Sequence, residues 1–144
     1  MVPETARAYI DRELARGRRL EEIKADATAF EGHIFRTKLE LESRLPADEP
    51  FFLDRGLPDS IAYFTLEGLD PREPLRHSRR ITYRRVFLFE RLQFLKDPVR
   101  SEDPRTAARI ERLIEEAYSR LGYRIVRVPV LPIPARTDYV LERA

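Results

Sequence analysis

A carboxylate, an arginine and a glycine follow one short apolar stretch of this chain. Residues 51–53 read Phe-Phe-Leu, and Asp54, Arg55 and Gly56 come directly after them. A short, uninterrupted apolar run is typical of a strand in a sheet that is covered on both faces. In parallel α/β sheets, ligands bind beyond the carboxyl ends of the strands. Asp54 is therefore a candidate ligand-binding residue, and the alternative is an acid that only stabilises an Asp-Arg-Gly turn.

The composition argues against several other kinds of chemistry. The 144 residues include no cysteine, which excludes disulfides and thiolate chemistry and fits a cytoplasmic protein. His33 and His77 stand alone, without a second histidine at the spacing of a metal site. The net charge of +2 gives no argument for nucleic acid, and the arginine-rich residues 76–85 are read as a solvated surface. The apolar runs are far too short to span a membrane, so we expect no membrane partner.

The order of the elements predicts an α/β domain. Apolar residues at helical spacing alternate with short apolar strands, and this alternation indicates a parallel sheet with helices on both faces. Glycines and prolines mark where the helices end and begin. The predicted helices are residues 3–16, 26–45, 58–67 and 103–121 and a short one from Thr137, and the predicted strands are residues 51–53, 86–89 and 123–128.

The sequence also resembles one protein family over nearly its whole length. FFLDRGLPDSIAYF, preceded by VPETARAYI and followed by YRRVFLFE and LGYRIVRVP, is similar to the P-loop NTPases of the nicotinamide-riboside-kinase-like AAA group, often called AAA-family ATPases. The most specific element is the strand that ends in Asp-Arg-Gly, with Pro-Asp two residues later. The resemblance implies a single domain over residues 1–144, with a three-layer P-loop NTPase-like fold.

The resemblance implies roles for four residues. Asp54 matches the Walker B acid that holds Mg²⁺ beside the phosphates of ATP, and Arg55 matches an arginine near the transferred phosphate. Glu4 matches an acid that contacts the phosphoryl acceptor, a small molecule, or acts as a base. Arg100, in a lid-like segment of residues 91–104, matches an arginine that meets the triphosphate. Such groups suit Mg-assisted phosphoryl transfer or hydrolysis, which needs charge neutralisation and alignment. The alternative for Glu4 is an acid in the first turn of a helix, and Asp59 is read as a helix-start acid with a substrate contact as its alternative.

The phosphate-binding loop of that family is absent from the sequence. A P-loop reads GxxxxGK(S/T), and none of the five glycines is followed by Lys-Ser or Lys-Thr. By its matches, the chain begins at the end of the family's second strand. We therefore expect that the central strand, the phosphate loop and the first helix lie outside these residues, and that the 144 residues alone are inactive. The alternative is a non-catalytic interaction module, such as a homodimer, that uses exposed strand edges.

Overall fold

The computed structural model describes residues 1–46, 48–91 and 103–144. These residues form a mixed α/β structure in which helices predominate. The elements in chain order are α1 Thr5–Ala15, α2 Leu20–Lys24, α3 Ala27–Ser43, α4 Asp59–Leu66, α5 Arg72–Ser78, β1 Val86–Phe89, α6 Pro104–Arg120, β2 Ile125–Val128 and α7 Ile133–Leu141. None of the described helices is both long enough and apolar enough to cross a membrane.

The strands pair in parallel, as the alternation of elements predicts. β1 and β2 form a two-stranded parallel sheet in which Val86 lies opposite Ile125. α6 lies between them in the chain, and a parallel pair needs such a crossover. A separate parallel bridge joins Val2 to Leu53, at the end of the predicted first strand. The described residues thus contain a small parallel sheet and one further parallel contact, and the three-layer arrangement stays a prediction.

Side-chain caps start two of the long helices where the sequence predicts it. The Asp26 carboxylate accepts the Ala29 N–H at 2.9 Å at the start of α3. The Asp103 carboxylate accepts the N–H groups of Arg105 and Thr106 at the start of α6. Each cap satisfies donors that the first turn of a helix leaves without a backbone partner. The two predicted starting points are confirmed.

Several elements differ from the prediction. Residues 51–53 form the single bridge at Leu53 and no full strand, β2 begins at Ile125 and not at Tyr123, and the short helix α2 was not predicted. The closing helix begins at Ile133 and not at Thr137, because Pro134 stands in its first turn, where a missing N–H costs nothing. The basic segment before β1 contains α5, which the apolar spacing did not indicate. The carboxylate of Asp70 accepts the Arg72 N–H at 3.0 Å, so an acid before a proline starts this helix as well.

The core lies between α4, α5 and α6. Ile61, Leu75 and Ala117 form a buried cluster, and Leu121 packs against it. Leu57, at the turn that precedes α4, is fully buried. This packing fixes the start of α4 against α6, and the residues just before α4 are the candidate site.

Replacement of Asp26 by alanine is expected to destabilise the chain by about 1 kcal/mol, because α3 loses its N-terminal cap. The free energy of unfolding, measured in urea, checks the loss. Asp26→Asn is the matched control, since asparagine also caps helices and should keep most of the stability. Equal stability of the alanine variant and the parent would contradict the assignment of this cap.

Candidate functional site

Asp54 lies at the carboxyl end of the short parallel contact. The Val2 N–H donates to the Phe52 carbonyl at 2.8 Å, and the Asp54 N–H donates to the Val2 carbonyl at 2.9 Å. These two bonds hold the backbone of Asp54 at the point where the pairing ends. The residue is exposed to solvent. Its carboxylate is therefore accessible to a ligand at the edge where α/β sheets bind one.

Arg55 makes the turn away from that edge and connects two acids. Its φ of 70° lies in the left-handed region, which costs a non-glycine residue on the order of 1 kcal/mol. The Arg55 Nε lies 2.8 Å from the Glu4 carboxylate, and one of its terminal nitrogens lies 3.8 Å from the Asp59 carboxylate. The guanidinium also lies 5.5 Å from the centre of the Tyr63 ring. These contacts offset the conformational strain of the turn.

The surroundings of Arg55 keep it charged. Burial alone would lower the pKa of the guanidinium, but Tyr63, Asp59 and Glu4 more than offset that cost, and the pKa stays above its ordinary value. Glu4 and Arg55, both predicted from the sequence as site residues, are thus brought into direct contact. Asp54 adjoins Arg55 in the chain.

Buried polar side chains hold the next residue, Gly56, in place. The Lys38 Nζ donates to the Gly56 carbonyl at 3.2 Å. The Tyr83 hydroxyl accepts the Leu57 N–H at 3.0 Å and donates to the Glu42 carboxylate at 2.6 Å. The Tyr118 hydroxyl donates to the Asp59 carboxylate at 2.9 Å. Side chains from three parts of the chain, α3, α6 and the segment before β1, therefore converge on this turn and fix its geometry.

Burial perturbs the ionisation of this network. Burial lowers the pKa of Lys38, and the Asp59 carboxylate opposes the change. Burial also raises the pKa of Tyr118, an effect that the neighbouring Asp59 strengthens. The pKa of Glu42 rises by burial, although the hydrogen bond from Tyr83 lowers it. Such shifts are common where ionisable groups are gathered at functional sites, and they also occur in structural networks.

A cavity of about 230 Å³ lies beside the Arg55 turn. We call it the Glu31 cavity. Its walls include Glu4, Glu31, Lys38, Arg55, Ser60 and Tyr63. The Glu31 side chain is on the buried side of α3 and only 7% exposed. Burial is the main cause that raises the pKa of Glu31 to about 7, and the nearby Lys38 opposes it.

The sequence-based search did not identify Glu31 and Lys38 as site residues, although the sequence carries a signal for both. The apolar positions of α3 include Phe30, Ile34 and Leu41, and Glu31 and Lys38 fall on the same helical face. Charged residues inside an apolar stripe are buried in the structure, at 7% and 3% exposure. Buried charges are uncommon without partners, so this pattern indicates a polar site under the helix.

The structure shows where Glu4, Asp54 and Arg55 lie, and their predicted roles in binding and catalysis stay predictions. Arg100 and most of the lid-like segment lie outside the described residues. Within residues 1–46, 48–91 and 103–144, no group of three or more acids or histidines is arranged to hold a metal ion. A magnesium ion held by Asp54 would therefore take its other ligands from water or a bound molecule.

The described residues thus form a mixed α/β protein with a small parallel sheet, and an acid and an ion-paired arginine follow the separate parallel bridge. A family model described as an AAA domain matches residues 1–136, and the chain belongs to this family. The assignment supports a nucleotide-binding, NTPase-like function in general terms. No curated protein and no solved structure matches the chain.

Proposed function

We propose that this chain carries the metal-binding and acceptor side of an Mg²⁺-dependent nucleoside triphosphate domain that acts in phosphoryl transfer or hydrolysis. The observation that carries the proposal is the family match over residues 1–136. The exposed Asp54 and the adjacent Glu4–Arg55 ion pair support it, because they stand at the strand end where such a domain binds its ligand. ATP is the expected nucleotide.

The residues present fit magnesium but not a complete triphosphate site. Mg²⁺ is usually bound by one or two carboxylates, with the other ligands from phosphate and water, so the single exposed Asp54 is sufficient on the protein side. Triphosphate binding also needs backbone N–H groups in a glycine-rich loop, and no GxxxxGK(S/T) occurs in the 144 residues. The Leu57 N–H, which lies next to the turn, is already bonded to Tyr83.

Each site residue has a distinct part in this proposal. Bound Mg²⁺ with a nucleotide would supply an electrophilic phosphoryl group, and Asp54 would hold the metal. Arg55 keeps its positive charge near that group and orients the Glu4 carboxylate through their 2.8 Å contact. Glu4 also lines the Glu31 cavity, and this position supports a contact with an acceptor bound there. In the lid-like segment, Arg100 would meet the triphosphate.

We propose further that polypeptide outside these 144 residues supplies the phosphate loop, so that the 144 residues alone are inactive. The support is the arrangement of the strands. In the described residues, the Val2–Leu53 bridge and the β1–β2 sheet are separate parallel pairs. A central strand between them, followed by the loop, would join the two pairs into one sheet.

Nucleotide binding by two forms of the protein tests this function. One form is the 144-residue chain, and the other carries the residues encoded upstream in the same reading frame. We expect Mg-ATP to bind the longer form alone, and Asp54→Asn in that form to weaken binding at least tenfold, as measured by fluorescence of a labelled nucleotide. Asp48→Asn, an exposed acid in the loop before the strand, is the control and should bind normally. An upstream frame without GxxxxGK(S/T), or equal binding by the Asp54 variant, would contradict the proposal.

Exposed aromatic residues favour a second candidate function, a non-catalytic module that self-associates. Phe51 and Phe52 are 37% and 42% exposed beside the Val2–Leu53 bridge, and Phe89 is 48% exposed at the end of β1. Unpaired strand edges with apolar side chains are surfaces that pair with another chain. Sedimentation of the 144-residue chain distinguishes the two. A dimer that Phe89→Lys dissociates supports the module, and a monomer at high concentration excludes it.

A further inference from the structure

The Glu31 cavity contains polar groups that the protein itself does not satisfy. Among the described residues, Glu31 has neither a hydrogen bond nor an ion pair, although it is 7% exposed. The Ser60 hydroxyl, 2% exposed and in the wall of the same cavity, has no hydrogen-bond partner among them either. Buried polar groups are nearly always hydrogen-bonded, and each one left unsatisfied costs about 1–3 kcal/mol. The Ser60 hydroxyl oxygen has this cost in the free protein, and a hydrogen bond from a molecule bound beside it and Glu31 would offset it.

The charges around the cavity favour a neutral molecule. The walls carry acidic side chains, Glu4, Glu31 and Glu67, together with basic ones, Lys24, Lys38, Arg7 and Arg55. The basic residues would repel a small cation at short range, and the acidic residues would repel a small anion. A ligand that forms hydrogen bonds without a net charge avoids both repulsions.

The size of the cavity and the side chains in its walls further restrict the class of ligand. The volume of about 230 Å³ equals the liquid volume of about eight water molecules, which is the scale of one small ring. Phe30, Ile34 and Tyr63 supply apolar surface against which the C–H face of such a ring packs. The hydroxyl groups of a ligand both donate and accept hydrogen bonds. The Ser60 hydroxyl can do the same, and so can the Glu31 carboxyl group when it is protonated.

We propose that the Glu31 cavity binds a neutral polyhydroxylated molecule of monosaccharide size, with Glu31 and Ser60 as hydrogen-bond partners of its hydroxyls. This binding depends only on residues of the 144-residue chain. Its further role as phosphoryl acceptor rests on the function proposed above, since Glu4 and Arg55 line the same cavity. Burial has the largest effect on the pKa of Glu31, and the charged groups that face it are Lys38 on its own helix, Glu67, Lys24 on α2 and Arg55.

Calorimetric titration of the 144-residue chain tests the ligand class directly, without nucleotide. The probes are a pentose, a hexose, the same hexose with an amine in place of one hydroxyl, and the corresponding hexonate. We expect a neutral sugar to bind at least tenfold more tightly than the amine and the acid at pH 7. Tighter binding of either charged analogue, or no binding of any probe, overturns the proposal. Failure of nucleotide binding would leave the sugar result unaffected, so the two proposals can fail separately.

Two variants connect the binding to the cavity. Glu31→Gln and Ser60→Ala are each expected to weaken binding of the neutral sugar at least tenfold. Glu40→Gln, an exposed acid on the same helix, is the matched control and should bind as the parent does. Circular dichroism verifies that each variant is folded. Unchanged sugar affinity in both cavity variants would place the ligand elsewhere and overturn the assignment.

Discussion

Glu31→Gln is expected to stabilise the chain by about 3 kcal/mol at pH 8 and to have little effect below pH 4.5. The side chain is buried, and its pKa rises from the ordinary value of 4.5 to about 7 because burial penalises the charged form. The difference between these values corresponds to about 3 kcal/mol. Glutamine has nearly the same shape and cannot ionise, so it avoids this cost.

The direction of the pH dependence follows from proton binding. Between pH 4.5 and about 7, the folded protein keeps the Glu31 proton while the unfolded chain has lost it. The folded state therefore binds more protons in this interval, and the stability of the parent falls as the pH rises through it. Below pH 4.5 both states are protonated and the penalty vanishes. Above about pH 7 both are ionised and the penalty is constant.

Urea unfolding of the parent and the variant at several pH values from 4 to 8 measures this effect. Glu40→Gln removes an exposed acid from the same helix and is the control, since its difference from the parent should stay within about 0.5 kcal/mol at every pH. A Glu31 variant that is less stable than the parent at pH 8 would show that the carboxylate is satisfied within the protein. The proposal of a ligand site at Glu31 would then lose its main support.

A stabilising effect of this substitution would agree with the proposed binding role of Glu31. A buried acid without a partner lowers the stability of the free protein, and such costs persist where function needs them. The same variant is predicted to lose sugar affinity. The two measurements together distinguish a binding residue from a packing defect, because a defect would change stability alone.

Much of the local structure could be predicted from the sequence. Asp26, Asp103 and the apolar spacing after them identify α3 and α6, since capping acids and helical periodicity act within a few residues. The run Val86–Phe89 identifies β1 for the same reason. The helix α5 was missed because it is only 7 residues long, so its apolar pattern is weak even though Asp70 and Pro71 mark its start.

Residue patterns predicted only the part of the candidate site whose residues are adjacent in the sequence. Asp54 and Arg55 are neighbours in the chain, and their place at a strand end follows from the strand pattern. Contacts over longer separations depend on how the helices pack, and no local pattern encodes them. Tyr83 reaches Leu57 and Glu42 in this way, and Lys38 reaches Gly56 from the middle of α3. The resemblance to a family added Glu4, which the structure places against Arg55.

Gly56→Ala is expected to destabilise the chain by roughly 1–3 kcal/mol, because there is no room for a methyl group at this position. A Cβ added to Gly56 would lie 2.9 Å from the Tyr118 hydroxyl and 3.0 Å from the Tyr83 hydroxyl. Both oxygens are at the ends of rigid rings and are held by hydrogen bonds to Asp59 and Glu42. One of these rings must move, and the turn that carries Arg55 must adjust with it.

A double-mutant cycle with Tyr118→Phe tests this cause, with the free energy of unfolding in urea as the measurement. Removal of the Tyr118 hydroxyl deletes the nearest atom, so Gly56→Ala should cost at least 1 kcal/mol less in that background than in the parent. Gly32→Ala is the matched control. Its added Cβ meets only the end of the exposed Arg36 side chain, at 3.3 Å, and alanine favours the α3 helix. We expect Gly32→Ala to be neutral or stabilising. Additive effects in the cycle would show that crowding by the Tyr118 hydroxyl is not the cause of the Gly56→Ala cost, which would contradict this prediction.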